Sequence, residues 1–410
     1  MISTHVLDTR KGGPATGVRI ELQRAWRALL SALAEREPLV IVVDDIHWAD
    51  NVLLDLLEEL ADRAQGPLLF VCPARPELTG SRPTWGGGKR SFSSVFLSPL
   101  ADDAAQELVT YLLDVDGLRD DTRAQILERA EGNPFFLEEI LRQLIDDGRI
   151  VRRDDRWTLA AEFTKLDLPD TVQGVLAARI DLLQPREKRT LQQASVVGRI
   201  FWRGAVAVLV DDDDSLDPDL RQLEERELVA SRFASTMVGE DELAFRHILT
   251  RDVAYESLPR RERPRAHALV AQWIEKTTGD RQREYAPLLA HHYVEAYRGA
   301  SRDRTFPSDE LESLRRRAFD LLINASRTTL RGAAYGAARS LAANALELGV
   351  DADERATALE TLGEVLRYAA LGDEGWDAYV KAVDVLRDAG STDYERIGRL
   401  SGLALETPTR

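Results

Sequence analysis

The run Leu39-Val40-Ile41-Val42-Val43, five aliphatic residues with no polar alternation, is closed at once by Asp44-Asp45. A strand with one wet face alternates, whereas an unbroken apolar run marks a strand of a parallel sheet covered on both faces. Pro38 ends a preceding amphipathic helix over residues 19–36, in which Leu22, Trp26, Leu29, Leu30 and Leu33 fall at helical spacing. The pattern then repeats: a helix over 52–64, a second buried strand at Leu68-Leu69-Phe70-Val71-Cys72 ending in Ala74-Arg75-Pro76, a Gly/Ser-rich loop over 80–94, and a short third strand from Ser94 to Leu97. Strand, helix and strand at this spacing form a right-handed parallel unit. Such sheets bind ligands at the carboxyl ends of their strands, which puts Asp44, Asp45 and Arg75 on one rim.

From residue 101 the chain becomes helical, with apolar stripes over 101–114, 121–131 and 134–147. A β-like patch, Ile150-Val151 and Arg156-Trp157-Thr158-Leu159, leads to a boundary at Leu168-Pro169-Asp170. Helices are then expected over 170–183, 185–197, 201–209 and 217–226, with an acidic loop at Asp211–Asp214. Leu228-Val229-Ala230 and Leu243-Ala244-Phe245 can pair as a wing, and three helices with a wing make a winged helix. Residues 259–410 are nearly all helical and alanine-rich. There Tyr335, Ala338, Ala342 and Ala345 match half of a tetratricopeptide-type repeat, and Trp376, Ala378 and Ala382 echo it in a loose register. The expected architecture is α/β plus all-α: a partial P-loop-type parallel sheet (1–100), a helical lid (101–166), a winged helix (167–258) and tetratricopeptide-like helical repeats (259–410).

The net charge of −16 argues against broad nucleic-acid binding, which needs a basic footprint, although Arg260, Arg261, Arg263 and Arg265 form a local basic patch. Cys72 is the single cysteine, so no internal disulfide forms, which fits a reducing cytosol and a cytoplasmic protein. No apolar run approaches the roughly 20 residues of a membrane span, and Met1-Ile2-Ser3-Thr4-His5 does not read as a secretory signal.

A hydrophobic strand ending in two acids has a definite use: the first carboxylate holds Mg²⁺, usually through water, and the second orients a water against a phosphoryl group. From these residues alone an ordinary loop with two acids stands equally open. Each further candidate also has a plain reading: Arg75 as a strand-end cap, Pro134 as the first residue of a helix, and His247 as a satisfied domain-interface histidine. His47 and Asp50 invite a metal reading, but no third ligand accompanies them, so a packed His47-Trp48 pair and a helix-capping Asp50 are expected. His291-His292 is expected on a helix surface.

The segment Pro38-Leu-Val-Ile-Val-Val-Asp-Asp-Ile-His-Trp-Ala-Asp50 closely resembles the Walker B segment of the AAA-like signalling ATPases called STAND proteins, which include modules of large LuxR-type regulators and of cyclase-linked bacterial regulators. The resemblance continues in order. Cys72-Pro-Ala-Arg75-Pro-Glu looks like their sensor-arginine strand, and Glu131-Gly-Asn-Pro134-Phe-Phe-Leu-Glu-Glu139 like the Gly-x-Pro motif of their lid. Leu168-Pro-Asp-Thr-Val172 with Ala177-Ala-Arg-Ile-Asp181 resembles the opening of their winged helix, and the segment from Phe245 to Leu258 its closing motif. The resemblance implies ATP/ADP and Mg²⁺ as cofactors. Asp44 would be the Mg²⁺-associated acid, Asp45 would stand where the water-activating carboxylate belongs, and Arg75 would sense the γ-phosphate. Pro134 would pack near adenine and ribose, and His247 would touch the β-phosphate of ADP in the closed state. It also implies a protein partner or small-molecule inducer at the helical repeats, a nucleotide-dependent oligomer, and an internal rather than DNA-binding use of the winged helix.

A site of this type needs Gly-x-x-x-x-Gly-Lys-Ser/Thr, whose amides and lysine hold the phosphates, and the 410 residues contain none. Gly12-Gly-Pro-Ala-Thr-Gly17 is followed by Val18-Arg19, and Gly86-Gly-Gly-Lys89 sits after the Walker B run and reads as a flexible loop. The family carries its loop on a central strand well upstream of its Walker B run. The sequence therefore reads as a fragment or degenerate form of an ATP/ADP-switched signalling regulator that does not hydrolyse ATP alone. The alternative is a nucleotide-independent interaction module built on the helical repeats.

Overall fold

The computed structural model describes residues 18–49, 51–87, 92–112, 115–116, 120–153, 156–159, 169, 171–210, 216–303, 306–332, 334–369 and 371–407. The chain divides into two compact units, one of residues 1–94, 280–291 and 312–410, the other of 95–279 and 292–311. Among the described residues no helix is long and apolar enough to cross a membrane.

In the first unit, helix α1 (Val18–Ala34) leads into strand β1 (Leu39–Val42), helix α2 (Asn51–Arg63), strand β2 (Leu68–Val71) and the short helix α3 (Glu77–Ser81). β1 and β2 pair in parallel, with Leu39 opposite Leu68 and Val42 opposite Val71. The expected burial on both faces is not what forms. Leu39, Ile41, Leu68 and Phe70 turn to one half-buried face, while Val40, Val42, Leu69 and Val71 are exposed together on the other. The inner face packs on α2, where Leu54 and Leu57 join Ile46, Leu78, Phe70 and Trp85 in one apolar cluster. The expected third strand does not form either. Val95, Phe96 and Leu97 lie 81–93% exposed in irregular backbone, because a β-prone segment without a neighbouring strand has no partner for its amides.

The Gly/Ser-rich loop is held down rather than loose over its described part. The Trp85 indole N–H donates to Leu54 O at 3.3 Å, Arg82 pairs with Asp55 at 2.8 Å, and Gly86 N donates to Glu58 at 2.6 Å. Gly86 has φ +72°, and a Cβ there would lie 2.2 Å from the Phe92 ring, so only glycine fits. Lys89 and the Gly12–Gly17 segment lie outside the described residues, as do Asp50 and the acidic loop 211–214.

In the second unit, α4 (Asp102–Leu112), β3 (Val115–Asp116), α5 (Asp120–Ala130), α6 (Pro134–Asp146) and the hairpin β4 (Ile150–Arg153) and β5 (Arg156–Leu159) share one core of Val109, Ile126, Leu137, Ile140 and Ile150. There follow α7 (Val172–Asp181), α8 (Pro185–Val197), β6 (Ile200–Trp202), α9 (Arg203–Val210), α10 (Leu216–Glu225), β7 (Val229–Ser231), β8 (Glu242–Phe245), α11 (Ile248–Ser257) and α12 (Arg263–Thr278). The expected pairing of 228–230 with 243–245 is present, but the sheet has a third strand. β6 pairs with β8, Phe201 opposite Leu243, where the sequence suggested the start of a helix.

α13 (Ala286–Ala300) and α14 (Ser308–Arg331) precede the antiparallel ladder α15 (Tyr335–Leu348), α16 (Ala352–Tyr368), α17 (Gly372–Asp388) and α18 (Tyr394–Glu406). The alanines of the repeat pattern, Ala338, Ala342, Ala345, Ala378 and Ala382, are all buried. The aromatic that fills the second repeat is Tyr379 rather than the exposed Trp376. Its ring lies against Gly363, where an added Cβ would come within 3.0 Å, and burial pushes its hydroxyl up to about 12. His292, expected on the surface beside His291, is fully buried. Its Nδ1 lies 2.9 Å from Nδ1 of His267, whose Nε2 meets Tyr255 Oη at 2.9 Å. One Nδ1 donates and the other accepts, so the tautomers of the two rings are coupled.

Candidate functional site

β1 ends at Val42, and the chain turns sharply at the two acids. Asp44 Oδ1 accepts the Asp45 N–H at 3.0 Å, and Asp45 adopts the left-handed conformation at φ 54°, ψ 37°, which asparagine and aspartate tolerate better than other side chains. Both carboxylates are exposed. A 3₁₀ turn over Ile46–Trp48 follows and is stitched to the loop after β2: Ile46 N donates to Pro73 O at 3.2 Å, and Arg75 N donates to His47 Nδ1 at 3.4 Å. His47 Nδ1 also lies 3.9 Å from Asp45 Oδ1, with its ring 4% exposed. His47 therefore joins the acid turn to the arginine loop, a role that sequence reading missed. The available signal was its position directly after the acids. The Arg75 side chain is exposed at the end of β2, so Asp44, Asp45 and Arg75 do share the strand-end rim.

The other two candidates lie in the second unit. Glu131 (φ 50°) and Gly132 (φ 70°) turn the chain, and a Cβ on Gly132 would lie 2.4 Å from Leu100 O. Asn133 then caps α6, accepting from Phe135 N at 3.1 Å and Phe136 N at 3.3 Å, with Pro134 as the first helical residue. His247 precedes α11, and its ring packs on Phe135, centroids 4.1 Å apart. The structure thus brings His247 to the residue next to Pro134. Burial lowers the His247 pKa below its ordinary 6.5, opposed by Glu139 and Glu138 and reinforced by Arg142 and Arg246, so the ring is neutral at pH 7.

Glu138, Glu139 and Arg142, whose charges act on His247, belong to ion pairs that the motif reading did not assign. The buried Arg179 of α7 donates to Glu139 at 2.5 Å, to Asp146 at 2.9 Å and to Arg226 O at 2.9 Å, and Arg142 pairs with Glu138 and Glu227.

Mg²⁺–nucleotide fits these residues in part. The rim offers two exposed carboxylates and a guanidinium, the groups that meet a hydrated cation and a phosphate. Among the described residues there is no cluster of three His, Cys, Asp or Glu able to hold a metal by itself, and β1 is not joined to any glycine-rich loop that opens a helix.

Residues 5–71 match the AAA ATPase domain family. This AAA-like stretch holds β1, the acids, α2 and β2. Residues 101–157 match a domain family of unknown function, DUF8739, which spans α4 to β5. No curated protein matches the chain. Among solved structures, a Signal Transduction ATPase with Numerous Domains (STAND) protein with a tetratricopeptide repeat sensor, from Pyrococcus horikoshii, aligns over 96% of this chain and 70% of its own, at 13% identity and a TM-score of 0.39.

Proposed function

We propose that the chain is the Walker B-to-repeat part of an ATP/ADP-switched signalling regulator, transcriptional or cyclase-linked, and that it is hydrolytically silent on its own. The observation that carries this reading is the pair Asp44 and Asp45 at the end of a parallel strand, in a segment that matches the AAA ATPase domain, with Arg75 just beyond that segment at the end of the neighbouring strand. In this reading Asp44 is the acid nearest Mg²⁺, Asp45 orients water, and Arg75 offers its planar fork to the γ-phosphate. Residues 101–166 act as lid and 167–258 as winged helix, with Pro134 against the base and ribose and His247 against the β-phosphate of ADP. His247 offers a ring N–H to that phosphate. The repeats receive a protein or small-molecule inducer in the cytoplasm, the acidic chain does not bind DNA directly, and nucleotide biases a bistable packing, including a nucleotide-dependent oligomer.

The test is to fuse a phosphate-loop segment from an AAA ATPase ahead of residue 18. The fused protein should bind ADP in a Mg²⁺-dependent way, and Asp44→Ala should weaken that binding at least about tenfold. A fused protein that folds yet ignores nucleotide would favour a nucleotide-independent interaction module. That second reading has one observation behind it: no Gly-x-x-x-x-Gly-Lys-Ser/Thr occurs in these 410 residues.

His247 gives a pH-dependent prediction. Because its folded pKa is depressed, the unfolded chain binds its proton first. The neutral ring's contribution to stability is complete above about pH 6.5 and is lost as pH falls from there through the folded value. His247→Gln should flatten the fall in melting temperature between about pH 7 and 5. An unchanged pH profile would contradict the half-buried placement against Phe135.

A further inference from the structure

We infer that the repeat-bearing unit holds a binding site for a small, multiply charged phosphate compound in the cleft between α14 and the start of α13. This deepens the assignment of an effector to residues 259–410 and rests on that part of the reading alone.

The cleft has a volume of about 380 Å³ and is lined by Arg283, Arg317, Arg327 and Arg331, with Ala286 and Leu321 as its buried apolar lining. None of its lining residues is acidic. On α14 the sequence sets this up directly. Leu314, Ala318, Leu322 and Ala325 form the buried stripe, while Arg317, Leu321, Asn324, Thr328 and Arg331, at the same helical spacing, form a second stripe that lines the cleft. A second stripe of a helix in a repeat array ordinarily carries small apolar residues for the next helix. Here it carries guanidinium groups and two neutral hydrogen-bonding side chains.

Four guanidinium groups therefore face one cavity whose lining contains no carboxylate. A concave, positively charged wall focuses potential and concentrates anions. α13 continues directly from a 3₁₀ turn over Gly279–Tyr285, which brings Gln282 and Arg283 to the same wall as Ala286. Arginine forks suit the oxygens of phosphate and hold several at once, which selects a compound with more than one anionic group. The volume lies at the small end of ligand pockets, about 300–1,000 Å³, so the occupant is a phosphorylated small molecule rather than a macromolecular surface.

The test uses the full chain and inorganic pyrophosphate, titrated by calorimetry at near-physiological salt, with citrate and sulfate beside it. Saturable 1:1 pyrophosphate binding is expected, weakened at least about tenfold by Arg327→Gln and by Arg331→Gln. Arg260→Gln, outside the cleft, and Asp44→Ala should leave it unchanged. The Asp44 arm separates this site from the nucleotide rim, so either can fail alone. Absence of saturable binding by folded protein, equal weakening by the Arg260 variant, or tighter binding of citrate than of pyrophosphate would each overturn the proposal.

Discussion

Arg179→Ala is expected to destabilise the unit of residues 95–279 by about 3–5 kcal/mol, the range for breaking a buried ion pair from one side. Arg179 is 2% exposed, and three separate parts of the chain meet on it: Glu139 and Asp146 of α6, its own helix α7, and the carbonyl of Arg226 after α10. Burial works against its charge, but Glu139 and Asp146 more than offset this and raise its pKa. Removing the guanidinium leaves the Glu139 carboxylate, 2% exposed, without that partner and in a low-dielectric setting. The double variant Arg179→Met with Glu139→Leu separates charge from packing. Replacing both charges by apolar groups should recover most of the loss, because the buried pair itself contributes little net stability. Urea unfolding with hydrogen exchange on α6 and α7 reads this out. A single-variant loss below about 1 kcal/mol would mean that α6 is not held there.

Arg315→Ala should cost the helical array about 2–4 kcal/mol, somewhat less because its carboxylate partners reach solvent. Arg315 donates to Glu312 at 2.8 Å, to both oxygens of Glu354 at 2.7 and 2.9 Å, and to Leu348 O at 2.9 Å. It therefore closes the end of α15 onto the first turn of α16, where Glu354 also accepts from Val350 N at 3.0 Å. The acid limb of the stability curve supplies an independent readout. Hydrogen bonds from Arg315, and then Arg316, lower the Glu312 carboxyl from 4.5 to about 2. A depressed carboxylate stabilises above its unfolded pKa, and that stability is lost as pH falls from about 4.5 through about 2. Arg315→Ala should shrink this acid dependence. A variant that melts as the parent does, with the same acid limb, would show that the α14–α16 crossing is not formed through Arg315.

The parts of the fold legible in the sequence are those set by local pattern. Pro38, the apolar run and the acids placed β1, and Pro134 marked the start of α6. What failed depended on neighbours that a run of residues cannot name. An apolar run says that a strand can be covered, not that covering layers exist, so the exposed face of Val40, Val42, Leu69 and Val71 was invisible. Val95-Phe96-Leu97 has strand composition and no strand to pair with. Ile200-Phe201-Trp202 fits a helix start as well as a strand, and its pairing with β8 is decided some forty residues later. Arg179 and Arg315 carried one usable signal: an arginine at a position of the helix that otherwise holds the apolar stripe.

For the candidate site, chain position was enough to gather Asp44, Asp45 and Arg75 on one rim. It did not reveal that His47 couples the two strand-end loops, nor that His247 rests on Phe135 beside Pro134.

The most direct measurement is a titration of fluorescent ATP and ADP, with Mg²⁺, into the folded 410-residue chain and its Asp44→Ala variant. The account predicts no turnover and no nucleotide binding that the variant abolishes. Binding in the micromolar range, about −8 kcal/mol, that disappears with Asp44 would contradict it, because a complete phosphate grip would then exist within these residues.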